Sequence, residues 1–296
     1  MNAAEPIRRH ARLAPDVEAY VRPDGRAVSY AFLDRMIDAL AHRIVALGIA
    51  PRQMVVVGTN DPCACLAVAL ALARLGIVFA PAMHPDQPAD MALVDRSPLG
   101  ERSRRAATLM HCPTSTTTGA ARFTPVSAVL GLRRLALRAF TLASIVGPRG
   151  GAANRQASLL PLGSWLGLST ALRVLWSGGT VLQPAADLAA FAPWIVRSRV
   201  THLVASPFAL QRVADAMPDL RGAIALDMIE AAGGTMPLQV VAVAQRRLCA
   251  TSSSHTARRR AAQRPPRPWH GSQVHRAPSA SCDFYEGCSP ELIRRS

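Results

Sequence analysis

The chain has 296 residues, half of them hydrophobic, which is enough for a sizeable core in one large or two modest domains. Its formal charge of +15 comes from arginine alone, since the chain contains no lysine: residues 1–250 hold 26 Arg against 16 acidic residues (+10), and residues 251–296 hold 8 against 3 (+5). Only 14 aromatic residues are present and the arginines of the first part are dispersed (Arg35 and Arg43, Arg133 and Arg138), so the charge reads as solvated helix faces and argues against a nucleic-acid stripe.

Residues 1–15 carry three arginines and no apolar core of their own, which excludes a secretory signal and gives a cytoplasmic protein as the expectation. Next, Val28-Ser29-Tyr30 leads into Leu33, Ile37, Leu40, Ile44 and Leu47 at helical spacing, stopped by Gly48. Met54-Val55-Val56-Val57 reads as a buried parallel strand. The longest apolar run, residues 62–83, is broken by Arg74 and Gly76 and follows Asn60-Asp61-Pro62, a helix cap with proline in the first turn. It reads as a buried helix and then the strand 77–81, not a membrane span, and completes a β-α-β unit. The six cysteines form no CxxC pair and no zinc-ligand spacing, so no metal site is expected, and Cys63 and Cys65 are assigned to the core.

Residues 85–111 are polar and read as a connector to Thr114-Ser115-Thr116-Thr117-Thr118-Gly119-Ala120-Ala121-Arg122. Hydroxyls packed against a glycine and closed by a cation are what a polyphosphate needs: backbone N–H groups turned inward, hydroxyl donors and one long cation. Taken alone, such a run is also an ordinary solvated loop. Beyond it the pattern predicts a helix over 126–143, a strand over 158–162, a helix over 166–175, and a strand over 180–182. A helix over 188–197, a strand over 200–205, a helix over 210–217 and a strand over 224–229 then run into Gly233-Gly234. His202 within its apolar strand reads as a satisfied core residue. Gly163-Ser164-Trp165-Leu166-Gly167 places serine one position early for a hydrolase elbow, and no Gly-x-Gly-x-x-Gly is present. The alternation makes the fold α/β. After Cys249 the Arg258-Arg259-Arg260 run and Arg264-Pro265-Pro266-Arg267-Pro268 carry no periodicity, so the expected division is residues 1–249 as the folded part and 250–296 as a disordered Arg/Pro/Ser-rich tail.

In order along the chain, Ser29-Tyr30 with Leu33, Gly48-Ile49 before a Val-rich strand, Leu72-Ala73-Arg74-Leu75-Gly76 to Pro81, the hydroxyl loop, Leu160-Pro161-Leu162, Ser206-Pro207 and Gly233-Gly234-Thr235-Met236-Pro237 resemble the adenylate-forming superfamily, the AMP-dependent acyl-CoA synthetases and their relatives. The resemblance covers residues 7–249. It implies stacked, mostly parallel sheets flanked by helices, as in the large N-terminal domain of those enzymes. It also implies ATP with magnesium, a small-molecule carboxylate, and coenzyme A as co-substrate: the carboxylate is activated to an acyl adenylate and passed to a thiol. On that resemblance Thr114, Ser115, Thr116, Thr117, Thr118, Gly119 and Arg122 bind phosphate, Gly233, Gly234 and Thr235 flank the adenine, and Ser164 and Trp165 lie at the acyl pocket.

Departures from the family pattern are equally legible. Thr116 stands where the family has glycine, Ala121 where it has proline and Arg122 where it has lysine, and Ser164 replaces a histidine. The family's Tyr-Gly-x-Thr-Glu segment, its ribose-binding aspartate and its small C-terminal domain with the adenylation lysine are not found, and no catalytic residue is assigned. The expectation is therefore impaired adenylation, with a non-catalytic nucleotide- or protein-binding remnant, or a basic nucleic-acid binder through the tail, as the alternatives. The abrupt change near Cys249 reads as a shift of reading frame, a hypothesis that lapses if no Tyr-Gly-x-Thr-Glu match is encoded in another frame past codon 249.

Overall fold

The computed structural model describes residues 2–59, 61–81, 92–93, 108–113, 123–127, 133, 154–184, 187–216, 226–231, 237–248, 274–275 and 283–286. In chain order these form α1 (Glu5–Leu13), β1 (Glu18–Val21), β2 (Ala27–Ser29), α2 (Tyr30–Ala46), β3 (Met54–Val57), α3 (Pro62–Leu75), β4 (Val78–Pro81), β5 (Ala92–Leu93), β6 (Thr108–Pro113) and β7 (Phe123–Ser127). They continue as β8 (Arg155–Ser158), α4 (Trp165–Trp176), β9 (Thr180–Leu182), α5 (Leu188–Arg197), β10 (His202–Ala205), α6 (Pro207–Ala216), β11 (Met228–Ala231), α7 (Leu238–Leu248), β12 (Val274–His275) and β13 (Asp283–Glu286). The chain divides into two compact units, residues 1–154 with 160–183 and residues 155–159 with 184–296.

In the first unit β3, β4 and β6 run parallel, with β5 antiparallel beside β3 and β7 antiparallel beside β6. A smaller group joins β1 to β2 antiparallel and to β9 parallel. The Ser29 side chain caps α2 by accepting from the Phe32 N–H, and Tyr30, Leu33, Ile37, Ala41 and Ile44 form its buried stripe. The Tyr30 hydroxyl lies 3.0 Å from the Leu175 carbonyl and 2.7 Å from that of Gly179, tying α2 to the end of α4. Asp61 caps α3 by accepting from the Cys63 N–H at 2.9 Å, Pro62 fills the first turn, and Gly76 ends the helix at φ +69°, as the sequence predicts. α3 is apolar on nearly all sides because it packs against α2 and β4, and Leu70 and Ala73 also line a small apolar cavity with Leu109, Met110, Leu168 and Leu172. Its one cation, the half-buried Arg74, reaches Asp34 at 2.7 Å and Asp38, while Arg8 of α1 also holds Asp38 at 2.9 Å.

The second unit carries the sheet order β12-β13-β11-β10-β8, parallel except for β12. α6 packs against β10, α5 and α7. His202 is buried in β10 with its Nδ1 2.9 Å from the Thr201 hydroxyl, a core residue as expected, and Glu230 of β11 is also buried.

The sequence pattern is displaced in several places. The strand expected over 158–162 is β8, at Arg155–Ser158, because the residues after it turn back: the Ser164 N–H donates to the Pro161 carbonyl at 3.0 Å. The connector 85–111 contains β5 and leads into β6, whose pairing with β7 and β4 overrides its polar character. The strand expected over 224–229 is β11, at Met228–Ala231. Within residues 250–296 the described residues are those of β12 and β13, with Phe284 level with Ile229; Phe284 and Tyr285 are strong strand formers, and β13 covers the edge of β11. The helix expected over 126–143 falls almost wholly outside the described residues.

Cys63 and Cys65 are buried and unbridged, and burial pushes both thiols up to about 11. Burial also raises the Tyr20 and Tyr30 phenols well above their ordinary range. All four groups are held neutral in the fold, whereas in the unfolded chain thiols ionise from about 8.5 and phenols from about 10. This preference is intact below the unfolded values and lost as pH rises through the folded ones. Stability, read from urea midpoints, should therefore stay level to about pH 8.5 and then fall by on the order of 2 kcal/mol per thiol by pH 11. A double Cys63→Ala, Cys65→Ala variant should lose the thiol share of that slope.

Candidate functional site

The C-terminal ends of β3, β4 and β6 make one edge of the parallel sheet in the first unit. Val57 is level with Pro81 and Phe79 with Met110, so Pro81 stands level with Cys112, and the chain leaves β6 one residue later. Ligands of open parallel sheets gather outside this edge. Pro113 and Phe123, which flank residues 114–122 in sequence, are paired across β6 and β7 at this edge. Thr114, Ser115, Thr116, Thr117, Thr118, Gly119 and Arg122 lie outside the described residues, but both of their anchors are fixed by this pairing.

The turn before α4 reaches the same edge. A Cβ on Gly163 would stand 3.2 Å from the Pro81 Cβ, so this turn packs directly on the end of β4. The next residue, Ser164, is the α4 N-cap: its hydroxyl donates to the Pro161 carbonyl at 2.8 Å and accepts from the Gly167 N–H at 3.0 Å. Ser164 thus has a structural duty that the sequence did not reveal, and Trp165 begins the helix half-buried beside it.

A polar group near this edge also escaped the sequence reading. Arg22 donates to Asp61 Oδ2 at 2.9 Å while Asp61 Oδ1 caps α3, and the Tyr20 hydroxyl donates to Gln183 Oε1 at 2.9 Å. The Asp61 hydrogen bond holds Arg22 more firmly protonated than an ordinary arginine. Both Asp61 oxygens are engaged, so the group orders the start of α3 and offers no spare base. Its partners are 39 and 163 residues apart in sequence, beyond the reach of any local pattern.

In the second unit, β10 and β11 are parallel neighbours, and β11 ends at Ala231, two residues before Gly233. Gly233, Gly234 and Thr235 lie outside the described residues, again just past the C-terminal end of a parallel strand. Among the described residues no group of His, Cys, Asp or Glu could hold a metal ion, and no helix is long and apolar enough to cross a membrane.

Comparison with known proteins bears on the edge just described. Residues 7–97 match the family model of the AMP-binding enzymes. No curated protein matches the chain in sequence. Among solved structures, VinN is similar over 84% of this chain and 72% of its own, at 16% identity and a TM-score of 0.67. The inhibitor-bound N-terminal domain of FACL13 from Mycobacterium tuberculosis is similar over 84% of this chain and 74% of its own, at 20% identity and a TM-score of 0.67. O-succinylbenzoate coenzyme A synthetase from Bacillus subtilis, in complex with AMP, gives 17% identity and a TM-score of 0.63, and this chain spans 56% of its length. At such identities the likeness is one of fold. The chain thus shares the fold of these structures, and its residues 7–97 match the AMP-binding enzyme model.

Proposed function

We propose that this chain binds ATP through residues 114–122 and that its reaction is the activation of a small-molecule carboxylate to an acyl adenylate, with coenzyme A as the accepting thiol. The observation that supports the proposal is the position of the run's two anchors, Pro113 and Phe123, at the C-terminal edge of the parallel strands β4 and β6, in a chain with this family match. In this reading Thr114, Ser115, Thr116, Thr117, Thr118 and Gly119 supply hydroxyl and backbone donors to the phosphates, and Arg122 supplies the cation. Their work is electrostatic: they hold the departing pyrophosphate in place. Gly233, Gly234 and Thr235 would flank the adenine, and Trp165, beside the Ser164 cap, would border the acyl group. Magnesium would arrive on the phosphates, which supply oxygen ligands of their own, since the described residues offer no carboxylate cluster for it. The cytoplasm, where ATP and coenzyme A are available, is the compartment this reading requires.

These 296 residues contain no lysine, so the permanently charged side chain they bring to the reacting phosphate is arginine, with its broader fork and different donor geometry. Adenylation is accordingly expected to be slow relative to nucleotide binding. Carboxylate-dependent exchange of labelled pyrophosphate into ATP tests the reaction: exchange above the carboxylate-free rate supports a ligase, whereas bound ATP without exchange assigns the chain to nucleotide binding alone.

A further inference from the structure

The exposed side of α2 has a composition that the nucleotide site does not use. Phe32, Arg35, Ala39, His42, Arg43 and Ala46 recur at three- and four-residue intervals on the face opposite the buried stripe, and all are exposed. Phe32 is 48% exposed with the Arg35 guanidinium 5.7 Å from its ring centroid, and at the other end Val45 and Leu47 are 57% and 65% exposed. No acidic residue lies on this face. The two aspartates of the helix, Asp34 and Asp38, point away from it into the ion pairs with Arg74 and Arg8. What remains outward is apolar and cationic, and the exposed Arg9, Arg12 and Leu13 of the neighbouring α1 have the same character.

We propose that the outer face of α2 is a peripheral docking surface for an anionic lipid bilayer, on which the helix lies parallel to the membrane plane. Charge complementarity selects an anionic occupant, because both aspartates of the helix, Asp34 and the partly exposed Asp38, are held in ion pairs with Arg74 and Arg8 to the side of this face. The distribution selects a plane over a folded partner. Protein interfaces concentrate their anchors at a central, desolvated patch, whereas here the large apolar side chains sit at the two ends of a helix of 17 residues with the arginines between them. The arginine stems can lie along the apolar boundary while their guanidinium groups reach the headgroups. No described helix can span a bilayer, so the association is of the surface kind.

The test is co-sedimentation of the full 296-residue chain with vesicles of phosphatidylcholine alone or mixed with phosphatidylglycerol, against the variant Arg35→Gln, Arg43→Gln. Both positions are exposed and, among the described residues, unpaired with acids, so the variant should keep the parent's circular dichroism and melting temperature. The proposal expects binding only to the anionic vesicles and, at about 1 kcal/mol per surface arginine, roughly thirtyfold weaker partition for the variant. Equal partition of parent and variant overturns it and assigns any lipid attraction to the arginines of residues 251–296. Equal binding to neutral vesicles, or loss of self-association in place of vesicle binding, overturns it as well.

Discussion

Replacing Arg74 with alanine is expected to lower the stability of the chain by about 2–4 kcal/mol, measured as a shift in urea midpoint at constant slope. The size follows from what is left behind. Arg74 is only 13% exposed and its main partner, Asp34, 17% exposed, so removing the guanidinium strands a nearly buried carboxylate. Arg8 can continue to hold Asp38, at 2.9 Å, but it stands 3.9 Å from Asp34. Arg74→Lys should recover only part of the loss, since a point charge cannot serve both aspartates with the geometry of a planar fork. Adding Asp34→Asn to Arg74→Ala should restore part of the stability by discharging the stranded group. A loss under about 0.5 kcal/mol would mean that the cluster behaves as a solvated surface pair.

Gly167→Ala is the second change with a large expected effect. A Cβ at this position would lie 2.1 Å from the Pro161 carbonyl oxygen and 2.7 Å from its carbon, both backbone atoms that cannot swing aside. Either the turn through Pro161 or the first turn of α4 must move, at a cost of about 1–3 kcal/mol. The Ser164 hydroxyl, which bridges the Pro161 carbonyl and the Gly167 N–H, loses its geometry in the same movement. Removing that hydroxyl alone, in Ser164→Ala, should cost only about 1 kcal/mol, the ordinary worth of an N-cap. Thermal unfolding of the two variants side by side separates backbone overlap from loss of the cap. The turn packs on Pro81 at the sheet edge, so Gly167→Ala should also weaken ligand binding there, whereas a purely local effect would leave it unchanged.

The elements that were legible in the sequence are those whose signals are local. The Asp61-Pro62 start and Gly76 stop of α3 are satisfied within a few residues of themselves, as is the stripe of α2. Strands at the sheet margins were not legible. β6 is a strand because β4 and β7 pair with it, and β13 because it lies along β11, and such partners are invisible to a window of ten residues. The hairpin of β1 and β2 is held by β9, more than 150 residues away in sequence, and α1 by ion pairs to α2 and a Trp176 N–H that donates to the Ala3 carbonyl. For the candidate site, the order of motifs located the hydroxyl run and the structure placed its anchors at the sheet edge. The cap duty of Ser164 and the Arg22–Asp61 pair needed three dimensions.

The central claim is that residues 114–122 hold the polyphosphate of ATP, and titration of the folded chain with ATP tests it most directly when run beside Arg122→Ala at the same salt concentration. The account predicts saturable binding by the parent and about ten- to hundredfold weaker binding by the variant, the worth of one charge-assisted contact to phosphate. Failure of the folded parent to bind ATP, or equal affinity of parent and variant, would contradict it.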